Sequence, residues 1–173
     1  MWRGITLVLR DISERFIMTR FIEIDFSQLS NILSELQATG KRASDLKPVA
    51  RTVGLVISEY TDEVFNSAPR TESESGGTAS NGFAWDRLKE STLNANNGRR
   101  RIGQILRDTG ALLNSLQVGS PSNFFASGND FIEFGTNLPQ GFNNNTRPFL
   151  APTDSLTELV AKAMENYIIT GET

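Results

Sequence analysis

The sequence predicts an α+β fold: a small, mostly antiparallel sheet packed with several helices and joined by long polar loops. Two observations carry this expectation. Apolar residues recur at helical spacing in 29–36, 49–64 and 156–167, whereas 21–26 and 117–136 hold short strand-like runs broken by glycine turns. The predicted order is then a strand, two helices, a turn, another helix, a few strands and a final helix. A chain of 173 residues with 38% hydrophobic content suits one domain. We place that domain at 20–173, after an N-terminal arm or extension at 1–19.

The N-terminal run from Ile5 to Leu9 is interrupted by Thr6 and stops at Arg10-Asp11. That is too short for a secretory leader, which needs ~7–15 apolar residues, or for a membrane span of ~20. The sequence therefore reads as soluble and cytosolic, with no membrane partner. Residues 1–17 are either an arm that packs on the body or a neighbouring subunit, or an extension upstream of a start at Met18.

In the first strand, Ile22, Ile24 and Phe26 alternate with Glu23 and Asp25. Ser27 then caps a helix with Leu29, Ile32, Leu33 and Leu36 on one face, and Gly40 closes it. Ser44 or Asp45 caps a longer helix with Pro48 in its first turn. Its stripe is Val49, Val53, Val56, Ile57, Tyr60 and Val64, and it ends near Ser67-Ala68-Pro69. Residues 70–82, RTESESGGTASNG, offer no packing residues and predict a mobile loop. Order returns at 83–93 with Trp85, Leu88 and a short helical turn, before the polar run NANNGRRR.

Ile102, Ile105, Leu106, Leu113 and Leu116 have helical spacing, but Gly110 weakens that helix by ~1 kcal/mol, so Thr109 is a candidate cap for a fresh short one. Residues 117–130 predict two short strands in a hairpin, which 131–134 extends. Asp154 or Ser155 caps the last helix, with Leu156, Leu159, Val160, Ala163 and Tyr167 on its buried side.

Composition removes whole classes of function. The chain has no histidine and no cysteine, which excludes disulfides, thiolate and imidazole metal sites, and nucleophiles paired with histidine. Carboxylates remain, yet nothing in the sequence pairs Glu133 with a second acid, and Glu23 and Asp25 read as a solvated strand face. No catalytic residue, cofactor or metal follows. The net charge of −3 argues against sequence-independent DNA binding. The basic cluster Arg99-Arg100-Arg101, with Lys89 and Arg107 nearby, is either a solvated loop or a contact for an acidic protein partner or phosphate. Gly76-Gly77 and Gly98 lack the context of a nucleotide-binding loop.

One stretch stands apart, FIEFGTNLPQGFNNNTRPFLAP at 131–152. An aromatic strand ends at Gly135-Thr136, a polar loop carries a single Phe142, and Arg147-Pro148-Phe149-Leu150 leads into the final helix. A loop of this length in a compact domain is more often functional than accidental. Phe142 is either an anchor for that loop or a contact on a partner.

Four motifs in fixed order carry a family resemblance. They are Trp85-x-x-Leu88-x-x-x-Thr92, then Ile105-Leu106-x-x-Thr109-Gly110-x-Leu112-x-x-Ser115, then Phe131-Ile132-Glu133-Phe134-Gly135-Thr136, then Arg147-Pro148-Phe149-Leu150. In that order the chain resembles the tail completion and virion morphogenesis proteins of tailed bacteriophages, over about 20–170. The resemblance implies a virion protein of the neck or upper tail, assembled in the host cytoplasm. It would form a ring, often hexameric, that closes the tail tube, meets tube or sheath protein, and joins the head connector. DNA would pass through its channel without sequence-specific binding.

A connector-side adaptor, or a DNA-contacting accessory protein using Arg99, Arg100 and Arg101, is the alternative. Under the neck and upper-tail reading that the resemblance implies, Glu133, Gly135, Thr136, Phe142, Arg147 and the three arginines are interface residues, with Gly135 at a positive φ or a close backbone approach. Arg147 would pair with a carboxylate across an interface, Glu133 being the first candidate. Trp85, Leu88, Thr92, Thr109, Gly110, Leu112, Ser115, Phe131, Phe134, Pro148, Phe149 and Leu150 form the motif core.

Overall fold

The computed structural model describes residues 44–173, with the backbone alone at Leu7–Val8 and Phe21–Asp25 and at Asn96, Asn97 and Arg99. The helix expected at 27–40 lies outside the described residues, as does most of 1–19. What is described is an α+β fold with a mostly antiparallel sheet, as the sequence predicts.

The sheet has four strands in the order β1 (Leu7–Val8), β2 (Phe21–Asp25), β6 (Phe131–Thr136) and β5 (Asn123–Ser127), every pair antiparallel. Strand β6 is central, with Ile22 opposite Phe134 and Ile24 opposite Ile132 in the β2 register. Period-two alternation sends Ile132 and Phe134 into the core, both fully buried. Phe131 falls on the other face and is 37% exposed, which corrects its assignment to the core. Its ring lies over Gly128, where a Cβ would collide with it. The hairpin is β5 paired with β6 itself, rather than two strands confined to 117–130.

Helix α1 (Lys47–Asn66) buries the predicted stripe at Val49, Val53, Ile57, Tyr60 and Val64, and adds Phe65. Pro48 sits in its first turn and Ser67 is its C-cap. No side chain caps its start; Asp45 Oδ1 instead accepts from the Lys47 N–H at 3.2 Å. Helix α4 (Asp154–Thr170) is capped by Thr153, whose hydroxyl accepts from the Leu156 N–H at 3.1 Å, one residue before the expected cap. It buries Leu156, Val160, Met164, Tyr167 and Ile168, while Leu159, expected inside, is 42% exposed.

The two tyrosines of the chain join these helices at opposite ends. Tyr60 on α1 meets the capping hydroxyl of Thr153 at 2.7 Å, and the Tyr167 hydroxyl on α4 donates to the Asp45 carbonyl at 3.2 Å. The helices therefore run antiparallel, with each end of the contact fixed by a hydrogen bond.

Residues 70–82 carry packing residues that the sequence did not reveal. Thr71 and Ala79 are buried, and β3 (Gly77–Thr78) pairs with β4 (Ala84–Trp85). Gly76 makes that approach possible: it has φ +76°, and a Cβ there would collide with the Trp85 carbonyl. Asn81 Nδ2 ties the same segment to the Pro148 carbonyl at 2.6 Å.

The helix expected over 102–116 is confined to α3 (Ala111–Ser115), which follows α2 (Glu90–Gly98) and a 3-10 turn at Arg99–Arg101. Gly103, Leu106 and Gly110 have φ of +133°, +67° and +73°, so the backbone between Ile102 and α3 is not helical. Ile105 remains buried, whereas Ile102 is 78% exposed. Gly110 is the N-cap of α3, and Thr109, outside it, accepts from the Ala111 N–H at 3.2 Å.

Candidate functional site

The four motifs converge on one core. Phe65 of α1 is its hub, with Trp85 edge-on at 6.2 Å and Phe149 tilted at 5.3 Å between ring centroids. Leu112, Phe134 and Leu150 belong to the same buried core, and Leu88 and Leu106 pack against it half-buried. Ser115 and Thr136 share a hydrogen bond at 2.6 Å and are both buried. Thr136 also accepts from the Leu138 N–H at 3.0 Å, so it turns the chain at the end of β6. Gly135 is likewise buried, in extended β6, opposite Phe21 and Phe124. Neither residue presents a surface to a partner. Gly135 and Thr136 are therefore corrected from interface to interior, and Gly135 needs no positive φ.

The 137–146 loop is a 3-10 turn over Pro139–Asn145, ordered by a residue that no sequence pattern singles out. Asn144 is 7% exposed. Its Oδ1 accepts from the Phe149 and Leu150 N–H groups at 2.9 and 2.8 Å, and its Nδ2 donates to the Leu150 carbonyl at 2.9 Å. Asn144 thus holds the Pro148-Phe149-Leu150 return, while Phe142 is 39% exposed and does not anchor the loop.

Arg147 points back at the chain. Its Nε and Nη2 donate to the Asp86 carbonyl at 3.3 and 3.0 Å, and Nη2 reaches the Arg87 carbonyl at 3.4 Å. Glu133, half-buried in β6, stands in register opposite Glu23 and Ala126. The register thus sets two acids across from each other, which sequence spacing alone did not disclose. No group of His, Cys, Asp or Glu able to hold a metal ion occurs among the described residues. No described helix is long and apolar enough to cross a membrane.

The basic cluster is divided rather than pooled. Arg100 forms an ion pair with Asp108 at 2.8 Å, and Arg101 pairs with Glu90 at 2.7 Å and also donates to Asn94 Oδ1. Both are exposed pairs of small energetic weight, but they neutralise two of the three cations locally.

A cleft of about 660 Å³ opens where these segments meet. Lys89, Arg100, Arg107 and Arg147 line it together with one carboxylate, Asp108. Leu88, Leu106 and Leu112 supply its apolar wall, and Thr92, Thr109, Gln140 and Asn143 add polar groups. Three stretches separated in sequence, 88–92, 100–112 and 140–147, therefore bring motif residues and basic residues to one surface.

The cleft wall contains Leu106, the one non-glycine with positive φ among the described residues. For a leucine this conformation costs ~1–3 kcal/mol, and it persists because its neighbours fix it. Ile105 is buried and donates its N–H to the Pro69 carbonyl at 3.0 Å. On the other side the Arg107 guanidinium donates to Asn66 Oδ1 and Gln104 Oε1 at 2.8 and 3.0 Å.

Comparison with protein-family models, curated proteins and solved structures gives no match to this chain.

Proposed function

We propose that this chain is a structural protein of the neck or upper tail of a tailed bacteriophage, forming a ring that completes the tail tube and joins it to the head connector. The observation that carries this reading is the convergence of its four sequence motifs. Trp85, Leu112, Phe134 and Phe149 share one buried core with Phe65, and Ser115 bonds Thr136 across two motifs. Residues that define the resemblance thus support one another physically. Exposed Phe142 and Ile102 lie outside that core and offer contact surface for neighbours in a ring. A net charge of −3 suits a channel that lets DNA pass without holding it.

Ring number separates this reading from its alternative. Light scattering of the purified protein, alone and with tail-tube protein, is expected to give about six times the chain mass of 19.1 kDa. A twelve-fold ring would move the protein to the connector side. A monomer under both conditions would overturn the assembly reading.

A further inference from the structure

We propose that the basic cleft docks an acidic segment of a neighbouring protein, its carboxylates meeting Lys89, Arg107 and Arg147 while an apolar side chain enters against Leu88, Leu106 and Leu112. This inference rests on the assembly reading and gives it a specific contact surface.

Charge is the first argument. Four cations and one carboxylate line the cleft, although the chain as a whole is acidic. Arg100 is matched by Asp108. The other three have no carboxylate partner among the described residues: Arg107 donates to the side-chain oxygens of Asn66 and Gln104, Arg147 donates to backbone carbonyls, and Lys89 forms no ion pair. Those neutral contacts orient the two guanidinium groups without compensating their charge. Arg107 has only Nη1 engaged and Arg147 only Nε and Nη2, so each retains donors for a carboxylate.

Shape and lining then decide the class of occupant. The volume of about 660 Å³ accepts a short peptide segment and falls within the ~300–1,000 Å³ of small-ligand sites. A nucleic acid strand would need a continuous basic track and aromatic rings on which bases stack. The lining contains no aromatic residue, and Arg101 is committed to Glu90. The leucine wall, with exposed Ile102 at the edge, instead suits an apolar side chain flanked by carboxylates. The strained Leu106 next to Arg107 helps to present both features on the same wall.

The probe is a short fluorescein-labelled peptide of leucines flanked by glutamates, titrated with wild-type protein and followed by anisotropy at ~50 mM salt. We expect saturable binding that weakens with added salt and falls about tenfold or more in the Lys89→Glu/Arg107→Glu double variant. Should that variant misfold, Lys89→Gln/Arg107→Gln, which removes charge without reversing it, is expected to show the same loss. No binding at protein concentrations up to about 1 mM, or equal binding by a folded variant, overturns the proposal. So does a short single-stranded oligonucleotide that competes more strongly than unlabelled peptide. Light scattering on the same samples separates the two readings. A ring that ignores the peptide defeats only the docking site, and a monomer that binds it defeats only the ring.

Discussion

At the scale of single residues, the buried polar atoms set the sharpest expectations. Trp85 is 1% exposed, and its indole N–H has no hydrogen-bond partner among the described residues. Burying an unsatisfied donor costs ~1–3 kcal/mol, which works against the packing that the large ring supplies. Trp85→Phe removes both the orphan donor and part of the ring, so the two effects oppose each other, and we expect a stability change within ~1 kcal/mol. Trp85→Ala leaves a cavity against Phe65 and should cost ~3–5 kcal/mol. Urea unfolding of both variants checks the difference, and equal losses would mean that the N–H is satisfied in solution. Asn144 is the opposite case, with all three of its hydrogen bonds made to buried backbone. Asn144→Ala should cost ~2–4 kcal/mol by leaving two N–H groups and a carbonyl unpaired. Hydrogen exchange at Phe149 and Leu150 should accelerate in the same variant.

At the scale of elements, the joint between α1 and α4 makes stability depend on alkaline pH. Burial pushes the Tyr60 hydroxyl above its ordinary value of 10.0, the hydrogen bond from Thr153 opposes that shift, and nearby Glu63 adds to it. A folded-state value above the unfolded one means that the unfolded chain loses this proton first as pH rises. The contribution is therefore complete below about pH 10 and is lost as pH rises through the folded-state value. Thermal melts across that window should fall more steeply for the wild type than for Tyr60→Phe. Parallel curves would show that Tyr60 does not couple to folding.

The same helices show what sequence can disclose. The stripe of α1 was legible because one face is buried along its whole length. In α4 the buried line runs through Leu156, Val160 and Met164 in steps of four, which leaves Leu159 outside. Spacing alone gives both lines equal standing. Residues 102–110 misled for another reason: their apolar spacing is helical, but three left-handed residues bend the chain around a single buried Ile105. The loop at 137–146 was legible in the sequence, with Phe142 inside it and Arg147 just beyond its end. The bonds that order it were not legible, because an asparagine gripping backbone five and six residues ahead leaves no periodic trace. Nor was the cleft, since it exists only where 88–92, 100–112 and 140–147 come together.

At the scale of the whole molecule, the distribution of charge matters more than its sum. A net charge of −3 repels a polyanion at long range. Among the described cations, Lys89, Arg100, Arg107 and Arg147 share one cleft, Arg70, Arg87 and Arg101 are paired with carboxylates, and Lys47, Arg51 and Lys162 lie apart from them. Duplex DNA needs several phosphates neutralised at once along a shared track, and its affinity falls with salt in proportion to their number. A cleft of this size, with one cation matched by a carboxylate and three held without one, provides no such track among the described residues. Gel-shift titration with duplex DNA at ~50 mM salt should therefore show no retarded species, even though low salt favours electrostatic binding most strongly. A shift whose affinity declines steeply with salt, and which is lost in Arg100→Ala/Arg101→Ala, would restore the DNA-contacting reading. It would also mean that the Asp108 and Glu90 pairs open to release their arginines when DNA arrives.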